Sequence, residues 1–133
     1  MKITIPGEPR GKQRPRFNKK TGTTYTPSET TQYEKMVKMI ARATYHHEPI
    51  EGAIRVRIQS MYRIPPSASQ DRKKRMQLGL ILPEVKPDVD NVAKIILDAL
   101  NGVVYKDDKQ VVELITRKFY DTNPRVIVEV EPL

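Results

Sequence analysis

The sequence predicts an α+β fold, a single domain with a mixed β-sheet packed with helices in the order β-α-β-(α)-α-β-β. The chain has 133 residues, which suits one domain with one hydrophobic core. Runs of strand-like alternation and runs of helix-like spacing follow one another, separated by Pro and Gly residues. The sequence shows no internal repeat and no second domain, so the predicted domain spans residues 1–133.

The N-terminal part predicts a short strand, a basic arm and a helix. The stretch "MKITIPG" is the strand, and Pro6 and Gly7 end it. Residues 8–27 have little apolar content and are predicted to be a loop or mobile arm. Their basic residues are Arg10, Lys12, Arg14, Arg16, Lys19 and Lys20. A helix is predicted from Ser28, as its N-cap, to about Tyr45.

The middle of the chain predicts a long strand and then a basic segment. Residues 53–64 alternate between apolar and polar side chains, starting with Ile54, Val56 and Ile58 on the apolar face. Pro65 and Pro66 end this strand. Residues 67–82 are interpreted as a short basic helix or a mobile segment, and they contain the run "RKKR" (Arg72, Lys73, Lys74 and Arg75).

The C-terminal part predicts one amphipathic helix and two strands. The helix runs from about Asp88 to Leu100, and its apolar stripe is Val92, Ile95, Ile96, Ala99 and Leu100. Asn101 and Gly102 suit a left-handed C-cap. The stretch "KQVVELITRKFY" is a strand, "DTNP" is a turn, and "RVIVEVE" is the last strand.

Charge and composition restrict the possible partners. Residues 1–83 carry 17 Lys and Arg against 6 Asp and Glu, a balance of +11, whereas residues 84–133 carry 7 against 10, a balance of −3. A basic body beside an acidic patch favours a polyanion partner and a separate cation site. Absence of cysteine excludes disulfides and thiolate metal sites. No apolar run reaches the roughly 18 residues of a membrane span, and the N-terminus has no apolar signal region, so we expect a cytoplasmic protein without a membrane partner.

Carboxylates are concentrated around the C-terminal helix. Asp88 and Asp90 lie at its predicted start, where capping and the helix dipole would explain them. Asp90, Lys94 and Asp98 share one face, which could be a solvated row of ion pairs. Asp107 and Asp108 lie in a predicted turn, where Asp is common. Each feature therefore has a purely structural explanation.

The same carboxylates could instead form a metal site. A helix of about 12 residues spans about 18 Å, and a short return segment could bring Asp107 or Asp108 back beside Asp88 and Asp90. Converging carboxylates repel one another, and a divalent cation would relieve this repulsion. Oxygen ligands without His or Cys favour Mg²⁺ or Mn²⁺ over zinc. With Lys and Arg nearby, such a site suits phosphodiester hydrolysis.

Three motifs resemble the RusA family of Holliday-junction resolvases, found in bacteria and prophages. They are "KPDVDNVAK" (Lys86 to Lys94), "LDALNGVVYKDD" (Leu97 to Asp108) and "QVVE" (Gln110 to Glu113), and "IPGEPRGKQRPR" (Ile5 to Arg16) resembles the start of the family. The resemblance implies a RusA-like homodimeric, Mg²⁺-dependent endonuclease of DNA recombination and repair. Such an enzyme resolves branched DNA, the four-way junction, by paired symmetric nicks.

The resemblance also assigns roles to residues. It places the essential aspartates at Asp88, Asp90 and Asp108, as catalytic residues and metal ligands, and the essential lysine at Lys94. Asn91, Asp98 and Asp107 are expected in supporting roles. With these roles, the basic residues predicted to bind the DNA backbone are Arg10, Lys12, Arg14, Arg16, Arg72, Lys73, Lys74 and Arg75. Residues 76–82 are the candidate for part of the dimer interface.

Two alternatives remain at this point. Pro87 and Asp88, followed by Asp107, Asp108 and Lys109, formally match the PD-(D/E)xK pattern of restriction-type nucleases, although an amphipathic helix lies between the two halves. A PD-(D/E)xK nuclease would need Lys109, whereas RusA-type chemistry would need Lys94. The other alternative is a non-enzymatic phage-type DNA-binding module, whose carboxylates would only cap helices and form turns.

Overall fold

The computed structural model describes residues 1–25 and 27–133 and confirms an α+β fold with a mixed sheet. Thr26, in the predicted basic arm, lies outside the described residues. The elements, in chain order, are β1 (Lys2–Pro6), β2 (Arg16–Asn18), β3 (Thr23–Tyr25), α1 (Ser28–Thr44), β4 (Ile54–Arg63), α2 (Gln70–Gln77), α3 (Val89–Leu100), a 3-10 turn (Asp108–Gln110), β5 (Val111–Asp121) and β6 (Arg125–Pro132).

The main sheet has four strands in the order β1-β6-β4-β5. β4 and β5 are parallel, and the chain between them contains α2 and α3. β6 runs antiparallel to both β1 and β4. The central position of β4 explains its alternating pattern, because every second residue from Ile54 to Tyr62 is buried. The carboxyl ends of β4 and β5 therefore lie side by side, with Tyr62 paired to Tyr120.

One face of the sheet packs against α1 and α3. The predicted apolar stripe of α3 is fully buried, and Val126, Val128 and Val130 of β6 pack into the same core. Burying each such side chain contributes roughly 1.5–3 kcal/mol. The opposite face is polar, and there Arg55 pairs with Glu113 and Glu131. This one-sided packing fixes α3 on the sheet and leaves Asp90 and Lys94 exposed on its other side.

Two local expectations need correction. The basic arm is not entirely a loop, because β2 and β3 form a two-stranded antiparallel hairpin within it. Its Thr and Tyr residues favour strands, and the turn closes where the Gly22 amide donates to the Asn18 carbonyl at 2.8 Å, with Gly22 at a φ of 69°. Ser28 is the first residue of α1 rather than its N-cap, a position that Pro27 occupies in extended conformation.

The other expected boundaries agree within a residue or two. Residues 67–82 contain a helix, α2, whose N-cap Ser69 accepts a hydrogen bond from the Arg72 amide at 3.2 Å. Gly102, just beyond α3, has the expected positive φ of 77°. Among the described residues, no helix combines the length and the apolar character that crossing a bilayer would require.

Candidate active site

The start of α3 presents two exposed carboxylates. Asp88 occupies the N-cap position, as the sequence predicts, but its side chain makes no capping hydrogen bond. Asp90 lies in the first turn and is also exposed. At this helix start only the backbone of Asp88 is used: the Val92 amide donates to the Asp88 carbonyl at 3.1 Å. The Asp88 carboxylate is therefore exposed and does not serve as a cap.

Side chains from the two parallel strands fix the segment that leads into α3. The Tyr62 hydroxyl donates a hydrogen bond to the Pro87 carbonyl, and the Lys118 ammonium donates one to the Val85 carbonyl. The Lys118 ammonium also lies 4.8 Å from the centre of the Tyr62 ring, a cation–π contact. Burial, with a smaller contribution from nearby Asp88, raises the pKa of Tyr62 to about 12, so its hydroxyl stays a donor at physiological pH.

The basic arm lies directly on α3 at Gly11 and Lys12. The Lys12 amide donates to the Asn91 carbonyl at 3.0 Å. A Cβ atom at Gly11 would lie 2.9 Å from the Cβ of Pro87 and 3.1 Å from that of Asn91, so only glycine permits this approach. The arm can lie here only because glycine has no side chain. As a result, Arg14 and Arg16 line the same cavity as Asp88 and Asp90.

Lys12 connects the arm to two helices. Its ammonium pairs with Glu34 of α1 and lies 3.4 Å from a carboxylate oxygen of Asp98 on α3. Burial opposes the charge of Lys12, but its hydrogen bonds and charge interactions with these carboxylates prevail and raise its pKa. Lys12 is thus a partly buried structural cation, whereas Arg10, Arg14 and Arg16 are exposed.

A cavity of about 590 Å³ joins the arm to the aspartates. Asp88, Asp90 and Asn91 form its acidic side, and residues 12–16 of the arm form its basic side. Asn91, expected in a supporting role, therefore lines the cavity and also anchors the arm through its carbonyl. An anionic chain that follows Arg14 and Arg16 would pass beside both carboxylates.

The exposed face of α3 extends this site. The Lys94 ammonium lies 3.3 Å from a carboxylate oxygen of Asp98, one helical turn further along. Lys94 is 59% exposed, whereas Asp98 is 22% exposed and also contacts Lys12. Asp98 therefore contacts two lysines, and its supporting role stays a prediction.

The two aspartates after α3 have different surroundings. Asp107 caps the 3-10 turn: its carboxylate accepts from the Lys109 amide at 2.9 Å, and its own amide donates to the Gln110 side chain at 2.9 Å. The hydrogen bond from the Lys109 amide is the main cause of the lowered pKa of Asp107. Asp107 thus has a structural function, and Asp108, the first residue of the turn, is half-buried.

Asp108 begins the 3-10 turn that follows α3 in the chain. Burial is the main cause of the raised pKa of Tyr105, and the neighbouring carboxylates of Asp108 and Asp98 add to it. The Tyr105 hydroxyl donates to the Leu97 carbonyl at 2.7 Å. Leu97 follows Asp88 by nine residues, which is about 13 Å along a helix. The structure therefore brings Asp88, Asp90 and Asn91 together as the lining of one cavity at the start of α3. Tyr105, whose pKa is raised by burial and then by Asp108 and Asp98, contacts the other end of this helix.

Within residues 1–25 and 27–133, no three His, Cys, Asp or Glu side chains lie close enough to hold a metal ion together. The grouping of Asp108 with Asp88 and Asp90 in one metal site stays a prediction.

The second predicted basic run lies elsewhere. Arg72, Lys74 and Arg75 of α2 are exposed and Lys73 is half-buried, but neither main cavity is lined by this helix. Arg75 pairs with Asp71 at 3.1 Å. α2 packs beside β5, whereas the arm packs on α3. Any DNA contact by α2 would thus be separate from the arm contact.

Sequence reasoning missed Gly11 and Tyr62, which position the arm and the aspartates. Tyr62 could have been found by continuing the alternation of β4 to its end, because Ile54, Val56, Ile58, Ser60 and Tyr62 share one face. Gly11 carried no such signal, since its contact partners, Pro87 and Asn91, follow it by 76 and 80 positions in the sequence.

Comparison with known proteins identifies relatives over nearly the whole chain. The family model described as "Endodeoxyribonuclease RusA" matches residues 6–131. A protein of Bacillus subtilis (strain 168), described as "Uncharacterized protein YqaN", is 36% identical over 132 residues. This match covers 96% of the present chain and 93% of the relative.

Proposed function

Since this chain belongs to the RusA family of endodeoxyribonucleases, we propose that it is a Mg²⁺-dependent nuclease that resolves four-way DNA junctions by paired symmetric nicks. The observation that carries the proposal is the shared cavity, in which exposed Asp88 and Asp90 face the basic arm. Phosphate contacts by Arg14 and Arg16 would place the DNA backbone against the two carboxylates.

The donor atoms at the start of α3 fit Mg²⁺. Asp88 and Asp90 offer exposed oxygen ligands, and the Asp88 carboxylate is not used as a cap. Mg²⁺ is commonly held by one or two carboxylates, with waters and substrate phosphates completing its shell. Asp88 and Asp90 would hold the ion, with Asp108 as the third candidate from the family pattern; Mn²⁺ has similar preferences. When bound, the ion would lower the pKa of a water molecule and stabilise charge on the phosphate.

The neighbouring residues would orient the reacting groups. Lys94 lies one turn beyond Asp90 on the exposed face, and Asp98 holds its ammonium. From this position it would add positive charge near the phosphate as negative charge develops. Tyr62 would fix the start of α3 through its hydrogen bond to the Pro87 carbonyl. Asn91 would fix the arm, because its carbonyl accepts from the Lys12 amide.

We also propose a homodimer, because two matched nicks need two sites related by a two-fold axis. Residues 76–82 remain the candidate interface segment. Met76 is only 4% exposed and belongs inside the protein, but Leu78 and Leu80 are 64% and 72% exposed. The adjacent edge strand β5 adds exposed Val112 and Leu114. A contiguous exposed apolar patch is typical of an interaction surface, and the proposed dimer requires these four side chains to form one.

The deciding experiment is cleavage of an end-labelled four-way junction with and without Mg²⁺, with linear duplex of the same sequence as control. We expect symmetric nicks in the junction only, lost with a chelator and in an Asp88→Asn variant. Binding without nicking in Mg²⁺ or Mn²⁺ would favour the non-enzymatic alternative. Nicking that survives Lys94→Ala but not Lys109→Ala would favour the PD-(D/E)xK alternative.

A further inference from the structure

The β2–β3 hairpin has no role in the proposed function apart from the phosphate contact of Arg16. It forms a two-stranded sheet of its own, beside the four-stranded sheet. Arg16 and Phe17 of β2 and all three residues of β3 are exposed, and Asn18 is half-buried. Antiparallel sheets commonly bury one face against a core. This hairpin is instead a ribbon with both faces largely in solvent.

The turn of the hairpin is ordered by its own hydrogen bonds. The Asn18 carbonyl accepts from the Gly22 amide at 2.8 Å, and the Asn18 side-chain oxygen accepts from the Lys20 amide at 2.9 Å. The hydroxyl oxygens of Thr21 and Thr23 lie 2.7 Å apart, within hydrogen-bond distance. A two-stranded hairpin without further packing is only marginally stable in water. Contact with a partner would therefore stabilise a shape that the turn already has.

Each face of the hairpin carries one exposed aromatic ring. Arg16 lies opposite Tyr25 in the strand pair, so these two side chains share one face. Phe17 lies opposite Thr24, on the other face. Phe17 is 61% exposed and Tyr25 is 49% exposed, so neither ring belongs to the hydrophobic core. The two rings are thus available to a partner on both sides of the ribbon.

The charge of the hairpin indicates the class of this partner. Residues 14–25 contain four basic residues, Arg14, Arg16, Lys19 and Lys20, and no acidic residue. Arg16 also lines the cavity of about 590 Å³ that contains Asp88 and Asp90, so the hairpin begins where the DNA backbone is proposed to pass. Proteins that combine positive charge with exposed rings use the charge for phosphates and the rings for bases. The hairpin therefore suits DNA whose base-pair faces are accessible.

We propose that the hairpin is a wedge that enters the branch point of the four-way junction. Phe17 and Tyr25, on its two faces, each lie against a base pair that has lost a stacking neighbour. This inference rests on the proposed function. Inserting a side chain between stacked base pairs costs stacking energy, and the cost is smallest where stacking is already interrupted. The wedge therefore selects branched DNA, whereas the neighbouring arginines bind the backbone of any DNA.

The test compares the dissociation constants of a four-way junction and of a linear duplex of the same sequence, measured by fluorescence anisotropy without Mg²⁺. We expect Phe17→Ala and Tyr25→Ala each to weaken junction binding about tenfold, the usual contribution of one contact between a base and an aromatic ring. Duplex binding should change by less than about twofold, because the phosphate contacts remain. Phe17→Tyr keeps a ring and should bind the junction as the wild type does. Met39→Ala is the matched control, because Met39 is 65% exposed on α1.

Equal losses on junction and duplex, or no loss from either alanine substitution, overturn the wedge. It is also overturned if Phe17→Ala raises the dimer dissociation constant in sedimentation without DNA, since the ring then belongs to a protein interface. Nicking of the junction in Mg²⁺ by the wild type is scored separately. Nicking together with equal losses overturns the wedge and leaves the nuclease intact. Junction-specific losses without any nicking support the wedge and overturn the nuclease.

Discussion

Single residues set the geometry of the site, either because they have no side chain or because their side chain does or does not form a local hydrogen bond. Gly11 lets the arm touch α3, Asp107 is occupied by its own turn, and Asp88 is left without a capping bond. A residue type common at a turn or helix end can therefore be structural at one position and available for chemistry at the next. The Asp107–Asp108 pair shows this difference between neighbours.

Gly11→Ala should separate the arm from α3. The added methyl group would lie 2.9 Å from the Cβ of Pro87, so the backbone has to shift. We expect a loss of about 1–3 kcal/mol in the free energy of unfolding, measured with urea, and weaker junction binding. Gly52→Ala is the comparison, because it meets only open space and suffers from its φ of 83° alone. Equal junction binding by Gly11→Ala and wild type would show that the arm contact is dispensable.

Asp107→Asn and Asp108→Asn should differ in their effect on the nicking rate. Asn is nearly as good an N-cap as Asp, so Asp107→Asn should keep both the fold and the nicking rate. Asp108→Asn should lower the nicking rate by about 100-fold or more, since even outer partners of a metal site contribute about 10- to 100-fold. Junction affinity, measured without Mg²⁺, should hold or rise because a charge that repels phosphate is lost. The reverse result would move the metal-binding role to Asp107.

At the scale of elements, three segments converge on the start of α3. The arm lies on it through Gly11 and Lys12, β4 holds the preceding loop through Tyr62, and β5 does so through Lys118. The parallel pairing of β4 and β5 requires a crossover, and α3 is part of that crossover. The sheet topology thus determines where the acidic motif meets the basic arm.

Lys12→Met and Arg14→Met should distinguish a residue that attaches the arm to the helices from a residue that binds DNA. Lys12 pairs with Glu34 and Asp98, so its replacement should lower the free energy of unfolding by about 1 kcal/mol. Arg14 is exposed, so Arg14→Met should leave stability within about 0.5 kcal/mol. It should reduce the slope of log K against log salt by about 0.9 if it neutralises one phosphate. A lower salt slope with Lys12→Met alone would contradict this division.

Alkaline pH should destabilise the surroundings of Tyr33 in α1 and Tyr62 in β4. Burial raises the pKa of both Tyr33 and Tyr62 to about 12, from an ordinary value near 10. The folded state therefore keeps protons that the unfolded state releases, so this stability is fully present below about pH 10 and is lost as pH rises towards 12. Each group contributes at most about 1.4 kcal/mol per pH unit. Urea midpoints at pH 9 and 11 measure the effect, and Tyr62→Phe should have a shallower decline than the wild type.

At the scale of the whole molecule, charge and apolar exposure lie on different elements. The arm and the start of α3 form the polar site, whereas the segment after α2 and the edge strand β5 carry exposed Leu and Val side chains. An edge strand with exposed apolar residues is prone to pair with another chain. This separation would let two copies associate without covering the arm.

Leu80→Asp should weaken the proposed dimer without unfolding the monomer. Leu80 is 72% exposed, so the substitution removes little core packing but places a charge in the proposed interface. Sedimentation equilibrium should show a higher dimer dissociation constant, and the two nicks should become uncoupled in a cruciform plasmid assay. Met39→Asp is the control, because Met39 is 65% exposed on α1. A monomeric wild type that still makes paired nicks would refute the dimer.

The sequence by itself determined the order of the main elements and the position at which α3 begins, because local periodicity and capping preferences act over a few positions. It also determined the family, through the motif around Asp88, Asp90 and Lys94. Only the tertiary structure decided that the arm touches α3 at Gly11, that Lys12 pairs with Glu34 and Asp98, and that Tyr62 holds the segment before α3. These contacts join positions far apart in the chain, and the packing of α1 and α3 on the sheet creates them.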